Sequence, residues 1–176
     1  YTVYAFNGQR AFTASSPQSG GSSIHQTTNG GANWTATSVG SYCDFVNQIH
    51  FFDDNNGIFL GDVKNGRFGM GKTNNGGATW IQLTSQTTPL ADESGWVGSN
   101  YWYNNYGWFG TTKGRVYRTT NRGEVWQASI VYDGGHVHYV GFKDEMNGIA
   151  IYTEKLQGSE FKVAATSNGG TSWTNN

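Results

Sequence analysis

Cysteine and proline are scarce in this sequence, and charged residues are few. The single cysteine, Cys43, excludes an internal disulfide framework and a zinc cluster built on cysteines. Charged residues make up 13% of the chain and the formal net charge is −1, so the basic stripe of an electrostatic nucleic-acid binder is missing. No apolar run approaches the roughly 18 residues of a membrane-spanning helix. We therefore expect no nucleic-acid partner and no membrane span.

Glycine and aromatic residues, in contrast, are abundant. The chain has 176 residues, of which 26 are glycine, 2 are proline and 15% are aromatic. This length is enough for one compact domain with a real core. Many turn-forming glycines among many aromatic residues are typical of an all-β protein with short strands.

An eight-residue motif, Thr-x-Asn-x-Gly-x-x-Trp, occurs four times. The octets are TTNGGANW (27–34), TNNGGATW (73–80), TTNRGEVW (119–126) and TSNGGTSW (166–173). Their tryptophans follow one another at intervals of 46, 46 and 47 residues, at positions 34, 80, 126 and 173. Four occurrences in register indicate a repeat protein.

The residue types of the octet predict a turn followed by an anchor. The asparagine can bond the backbone two residues on, the glycine can adopt a positive φ, and the threonine hydroxyl can hold the turn. The tryptophan is expected to start the next strand and to pack against the neighbouring unit. The predicted structural positions are Thr27, Asn29, Gly31, Trp34, Thr73, Asn75, Gly77, Trp80, Thr119, Asn121, Gly123, Trp126, Thr166, Asn168, Gly170 and Trp173.

A second recurring element precedes each octet and consists of an aromatic strand, a polar turn ending in glycine, and an apolar strand. Three copies are FFDDNNGIFLG (51–61), YWYNNYGWFG (101–110) and VGFKDEMNGIAIY (140–152), and NGQRAF (7–12) fits the same slot. Each repeat then contains four strands, which in the second repeat are predicted near 45–52, 57–62, 67–73 and 79–83.

Four strands in about 46 residues is the period of a β-propeller blade. We predict an all-β propeller of four-stranded antiparallel blades, at about 1–38, 39–84, 85–131 and 132–176. Two arrangements are open, a closed ring of four blades or, as we favour, part of a larger ring of six to eight. An incomplete ring is expected to self-associate through its uncovered blades.

The octet resembles the Asp-box, or BNR, repeat of sialidases, other glycoside hydrolases, sortilin-type receptors and photosystem II assembly factors. FVNQIHFFDDNNGIFLGD (45–62) followed by TNNGGATW is most similar to uncharacterised secreted bacterial propeller proteins. The resemblance implies a propeller fold and a secreted or surface location in a bacterium. The box usually carries aspartate where this chain has asparagine, which disfavours cation binding because hard cations prefer carboxylates.

Ligands of propellers with this resemblance usually sit over the central channel, at the end opposite the octet turns. The loops predicted at that end, which we call the channel-end loops, are 41–48, 62–67, 88–96, 112–115, 132–139 and 153–160. Their weak catalytic candidates are Asp62, Asp133 and Glu93, although solvated loop acids are the commoner interpretation. A glycosidase needs two opposed carboxylates about 5–10 Å apart, and the sequence brings no two together.

The candidate ligand-binding residues are Asp44, Asp62, Arg67, Arg115, Trp102 and His136. A sialidase grips a carboxylate with an arginine cluster, and here only Arg67 and Arg115 occupy equivalent slots at this end. Trp102 lies in an aromatic run that predicts either inter-blade packing or a platform for a sugar or peptide. His136 and His138 share a strand face near Asp133, an arrangement more typical of a half-buried polar face than of a metal site. No metal or cofactor is expected.

Two functions from different classes remain. The first is a non-enzymatic module, extracellular or on a cell surface, that binds a protein or glycan at the channel-end loops. The second is a segment of a glycoside hydrolase of the sialidase or endoglucanase kind. Regular repeats without a recognisable catalytic constellation favour the first.

Overall fold

The computed structural model describes residues 2–157 and 160–175, and all the regular structure in these ranges is β-strand. The strands form four antiparallel sheets of four strands each, and within each sheet the strands neighbour one another in chain order. These four sheets are four propeller blades, so the predicted all-β fold of four-stranded antiparallel blades is confirmed. The chain divides into two compact units, Tyr1–Thr84 and Ser85–Asn176, each holding two blades.

The first unit contains the first and second blades. Their strands are β1 (Val3–Ala5), β2 (Ala11–Ser15), β3 (Ser23–Thr27), β4 (Thr35–Ser38), β5 (Val46–Phe51), β6 (Gly57–Lys64), β7 (Arg67–Thr73) and β8 (Ile81–Gln82). The first strands of the two blades, β1 and β5, lie in contact. A single core joins the blades and includes Phe12, Ile24, Val46, Phe51 and Phe59.

The second unit contains the third and fourth blades. Their strands are β9 (Gly95–Tyr103), β10 (Tyr106–Thr111), β11 (Arg115–Thr119), β12 (Gln127–Ile130), β13 (His136–Phe142), β14 (Gly148–Thr153), β15 (Lys162–Thr166) and β16 (Thr174–Asn175). The first strands, β9 and β13, again lie in contact. The core of this unit includes Trp108, Val116, Val140, Phe142 and Tyr152.

Each octet forms the turn between the third and fourth strands of its blade, and its threonine is the hub. In the second blade, Thr73 Oγ1 accepts hydrogen bonds from the backbone N–H of Asn75 at 3.3 Å and of Gly77 at 2.9 Å. The same pair of bonds recurs in the other three octets. The glycine at this position has φ between 82° and 90° in all four blades. The predicted roles of threonine and glycine are confirmed.

The asparagine and the tryptophan of the octet differ from their predicted roles. Asn75 Oδ1 accepts from the backbone of Thr79 at 3.0 Å, so the side chain reaches four residues on rather than two. The longer reach suits a wide turn, because β8 begins at Ile81, one residue after the tryptophan. Trp80 packs edge-on against Phe51 and Phe59 of its own blade, with ring centroids 5.9 and 5.4 Å apart. The fourth blade adds a contact of the predicted kind, since Trp173 Nε1 donates to Ser129 of the preceding blade at 2.9 Å.

The turns divide between two ends of the blades as the alternation of hairpins requires. At one end, the Arg10 guanidinium donates to the backbone oxygens of Asp54 at 2.8 Å and Gly76 at 3.1 Å. These bonds join the β1–β2 turn and the β5–β6 turn to the octet of the second blade. At the other end, Lys64 Nζ donates to Gly40 O at 2.7 Å and to Asp44 Oδ1 at 2.6 Å. The second end is the one at which we predicted the ligand site.

Candidate functional site

The first strand of the second blade and that of the fourth blade each carry a β-bulge near the channel end. The register shifts between Val46 and Gln48 in β5, and between Val137 and Tyr139 in β13. A bulge leaves one residue unpaired and re-aims its side chain. The two bulged residues, Asn47 and His138, therefore occupy equivalent positions in different blades.

Both bulged residues bond the end of the second strand of their own blade. Asn47 Nδ2 donates to Asp62 Oδ1 at 2.9 Å. His138 Nε2 lies 2.9 Å from Thr153 Oγ1, the residue at the position of Asp62 in the fourth blade. Asp62 is half-buried, and its own backbone N–H donates to Phe45 O at 2.9 Å. The bulges thus fix polar side chains at the channel end.

A closed polar cluster surrounds Glu93 in the second unit. The side chain of Glu93 is 0% exposed and forms an ion pair with Arg115, whose side chain is 10% exposed. Arg115 Nε donates to Glu93 Oε1 at 3.0 Å, and a second guanidinium nitrogen bonds Oε2. Thr111 Oγ1 donates to Glu93 Oε1 at 2.7 Å, and Leu90 N donates to Oε2 at 2.8 Å. The carboxylate has its acceptor sites filled by the protein.

Tyr117 completes this cluster. Its hydroxyl donates to Glu93 Oε2 at 3.3 Å and accepts from Arg115. Burial raises the pKa of Glu93, but the hydrogen bonds from Arg115, Thr111 and Leu90 outweigh burial and hold that pKa below its usual range. Burial, followed by the charge on Glu93, raises the pKa of Tyr117. The cluster resembles a tyrosine and acid pair beside an arginine, but it is sealed from solvent and cannot receive a substrate where it stands.

Asp44 and Cys43 lie together at the channel end of the first unit. Asp44 accepts from Lys64 and, at 3.2 Å, from Gly21 N, and these two bonds, Lys64 first, lower its pKa. Cys43 is 0% exposed, and burial raises the pKa of its thiol to about 12. The thiol is therefore protonated and shielded at neutral pH.

The remaining predicted residues lie apart from these clusters. Arg67 is exposed at the start of β7, whereas Arg115 at the equivalent slot is buried, so the two arginines do not form a clamp of matched guanidinium groups. Asp133 is exposed in the turn before β13. Trp102 lies at the octet end, where its ring packs edge-on against Trp126 at 5.7 Å, so it does not belong with the channel-end loops. Trp126 belongs to the same blade, so this contact is packing within the third blade rather than the inter-blade packing or the platform predicted from the sequence.

An aromatic surface that includes the predicted residue His136 forms at the channel end of the second unit. We call it the Trp96 surface; it consists of Trp96, His136, His138 and Phe161. The ring centroid of His138 lies 5.0 Å from that of Trp96 and 5.2 Å from that of Phe161, edge-on in both cases. His136 lies 6.4 Å from both Trp96 and His138. Phe161 is 66% exposed and Trp96 and His136 are half-buried, whereas His138 is buried, so the surface opens to solvent at Phe161.

The two imidazoles of this surface are shifted toward their neutral forms. Burial lowers the pKa of His138. Burial, then the charges of His138 and Lys113, lowers the pKa of His136. His136 Nδ1 is buried and makes no hydrogen bond within the described residues. At neutral pH the surface is therefore apolar and aromatic, with imidazole nitrogens as its polar groups.

The sequence indicates His136 as a candidate ligand-binding residue, but not Trp96, His138 or Phe161. The signal for Trp96 and His138 was their place in the channel-end loops. Phe161 stands outside every motif, and only the fold brings it to His138. Across residues 2–157 and 160–175, no three His, Cys, Asp or Glu residues are grouped so as to hold a metal ion. The same ranges contain no helix long and apolar enough to cross a membrane.

Comparison with known proteins finds likeness in structure alone. The sequence matches no protein-family model and no curated protein. Among solved structures, YCF48 bound to D1 peptide is 21% identical with a TM-score of 0.61, and 98% of this chain matches 51% of that one. YCF48 from Cyanidioschyzon merolae is 16% identical with a TM-score of 0.62, and 99% of this chain matches 57% of that one.

An ancestral GH74 enzyme is a third structural neighbour. It is 18% identical with a TM-score of 0.67, and 99% of this chain matches 25% of that one. The chain thus spans about half or less of the proteins it resembles. At these identities the likeness supports the propeller fold and does not transfer a site.

Proposed function

We propose that this chain is a non-enzymatic propeller module, secreted or on a cell surface, that binds a protein or glycan ligand at its channel-end loops. The observation that carries the proposal is a contrast at that end of the blades. Asp44, Asp62 and Glu93 are held in hydrogen bonds to their own protein and Asp133 is a solvent-exposed turn residue, while the Trp96 surface opens to solvent at Phe161. A surface that is built and exposed, without an acid poised for chemistry, suits binding.

The acids lack the properties that glycoside hydrolysis demands. A hydrolase of this kind needs one carboxyl group with a raised pKa and a second that faces it across the substrate. Glu93 is sealed and its pKa is lowered. Asp44 and Glu154 each pair with a lysine, and these bonds lower both pKa values. The likeness to a GH74 enzyme supports a hydrolase through fold alone.

A peptide segment fits the Trp96 surface better than a purely polar ligand does. Phe161, 66% exposed, offers apolar contact, and beside it the half-buried ring of Trp96 stands edge-on to the buried ring of His138. YCF48, which has a similar fold, is bound to D1 peptide in its solved structure, and this supports a protein ligand for the present chain.

Binding arrays of peptides and glycans test this proposal. Fluorescently labelled wild-type protein is applied to both arrays beside Phe161→Ala and Trp96→Ala, with circular dichroism to check that each variant is folded. Met146→Ala is the matched control, because Met146 is 50% exposed and lies in a turn whose backbone bonds the octet at Gly169. We expect peptide signals that both aromatic variants lose and the control keeps.

Two results would overturn the proposal. Equal signals from all four proteins would remove the Trp96 surface from binding. Glycan cleavage by the wild type that Asp62→Asn abolishes would make the chain a hydrolase. Signals confined to the glycan array, and lost with Phe161→Ala, would keep the site and assign it to carbohydrate.

A further inference from the structure

The two blade–blade interfaces within the units share one design. In the first unit, the ring of Phe51 at the end of β5 lies 4.6 Å from the ring of Phe12 on the preceding blade. In the second unit, the ring of Phe142 at the end of β13 stacks 3.7 Å from the ring of Trp108, with the planes 11° apart. We call the position of Phe51 and Phe142 the ring position, and that of Phe12 and Trp108 the receptor position.

The octet of the following blade closes over the same receptor. A Cβ atom on Gly77 would stand 2.5 Å from the ring of Phe12, so only glycine permits this approach. In the second unit Trp108 Nε1 donates to Gly169 O at 2.8 Å. Ring and octet together bury the receptor, since Phe12 is 0% and Trp108 is 1% exposed.

The fourth blade presents the same receptor, and within the described residues of the second unit no blade covers it. Ile149 holds the receptor position of the fourth blade. It follows Gly148 in β14, just as Trp108 follows Gly107 in β10. Ile149 is 47% exposed, and Val163 is 40% exposed where its equivalent Val116 is 0% exposed. A cavity of about 520 Å³ opens here, lined by Tyr101, Gly141, Phe142, Lys143, Asn147, Gly148, Ile149 and Thr166.

The first blade has no ring to offer such a receptor. At the ring position it carries Ala5, which pairs with Ala11 where the other blades pair an aromatic residue with glycine. The glycine is required by the ring, since a Cβ on Gly148 would stand 2.5 Å from Phe142. The lack of a ring also leaves Trp34 44% exposed, whereas Trp80 packs on Phe51.

We propose that the open face of the fourth blade is a docking site for a further propeller blade that bears an aromatic residue at the ring position. The same face of the first blade and of the third blade is covered by a blade of that description, and the fourth blade continues the series. The first blade of this chain, from the same molecule or a second copy, is not that partner. An aromatic side chain buries about 150–250 Å², and alanine leaves most of that contact unmade.

A matched pair of thiol probes tests the first half of the proposal. Val163→Cys places a thiol on the open face, and Val116→Cys places one at the covered equivalent. The native Cys43 is 0% exposed with a pKa of about 12, so it stays silent toward a disulfide reagent. We expect the thiol at 163 to react about 100-fold faster than that at 116, at every protein concentration. Protection of the thiol at 163 would mean that the first blade, in the same or a second copy, covers the face, and the proposal would fall.

An extended chain tests the second half. A duplicate of residues 132–176 is joined after residue 176 of the Val163→Cys protein, with phenylalanine, alanine or tyrosine at the ring position of the added blade. We expect phenylalanine and tyrosine to slow the labelling of the thiol by about tenfold or more, and alanine to leave it fast. Equal labelling rates in the three extended proteins would overturn the role of the ring.

Discussion

The Arg115 guanidinium and the Glu93 carboxylate form a two-pronged ion pair, with side chains 10% and 0% exposed. The pair holds the loop before β9, because Leu90 N bonds the carboxylate and Arg115 donates to Thr88 O at 3.2 Å. This loop leads directly into Trp96. The buried pair is therefore part of what positions the Trp96 surface.

Removing Glu93 is expected to destabilise the second unit strongly. Glu93→Ala leaves a buried guanidinium without its partner, and such a loss costs about 3–5 kcal/mol. The free energy of unfolding, measured with denaturant, reports this directly. Asp133→Ala is the control, since Asp133 is exposed and a surface change of that kind stays within about 0.5 kcal/mol. Equal stability of the two variants would show that the pair adds nothing to the fold.

Gly77→Val is expected to disrupt the interface between the first and second blades. Gly77 has φ of 87°, which a β-branched residue adopts poorly, and a Cβ would stand 2.5 Å from Phe12. Strain and overpacking each cost about 1–3 kcal/mol. Gly66→Val separates the two, because Gly66 has φ of 76° with open space around it. A thermal melt should place Gly77→Val well below Gly66→Val, and coincident melts would contradict the packing argument.

The sequence was sufficient for the architecture because its signals are local and repeated. The second-blade strands, predicted near 45–52, 57–62, 67–73 and 79–83, are observed at Val46–Phe51, Gly57–Lys64, Arg67–Thr73 and Ile81–Gln82. The hydrogen bonds of each octet join residues that lie within five positions of one another along the chain, so the local sequence is enough to predict them. The four-residue reach of the asparagine was missed because a standard two-residue turn was assumed.

The site was less accessible because its contacts are long-range. The position of Glu93 suggests a solvated loop acid, but its partner Arg115 lies 22 residues on, at the start of β11. The bulges at Asn47 and His138 shift a register by one residue, which alternation of residue types does not reveal. Trp102, in contrast, could have been assigned to the octet end, since only Tyr103 separates it from the polar turn at Asn104 and Asn105.

Acid is expected to weaken the first unit through His50. Burial lowers the pKa of His50 to about 4, and its ring lies 5.7 Å from Tyr4 and 4.9 Å from Phe52. Since the folded-state pKa lies below the unfolded value of about 6.5, the unfolded chain takes up the proton first. Stability is thus full above pH of about 6.5 and falls as pH drops toward 4, by about 3 kcal/mol in all.

His50→Gln should flatten that part of the pH dependence. Denaturant unfolding at intervals between pH 7 and pH 4 measures it in both proteins. The variant keeps the contributions of His136 and His138 to the loss of stability in acid, because their lowered pKa values act in the same direction. If the wild type and the variant lose stability in parallel over this window, His50 is not the group responsible.

Restoring the ring position of the first blade should bury Trp34. The double change Ala5→Phe with Ala11→Gly recreates the pairing of Phe51 with Gly57, against which Trp80 packs at 5.9 Å. An aromatic pair contributes about 0.5–1.5 kcal/mol, but glycine within a strand costs about 0.5–1 kcal/mol, so net stability should change little.

The informative measurement is acrylamide quenching of Trp34, obtained as the difference from a Trp34→Phe background. We expect quenching of Trp34 to fall in the double variant and to stay unchanged with Ala11→Gly alone. If Trp34 remains as accessible as before, the exposure of this tryptophan does not arise from the missing ring.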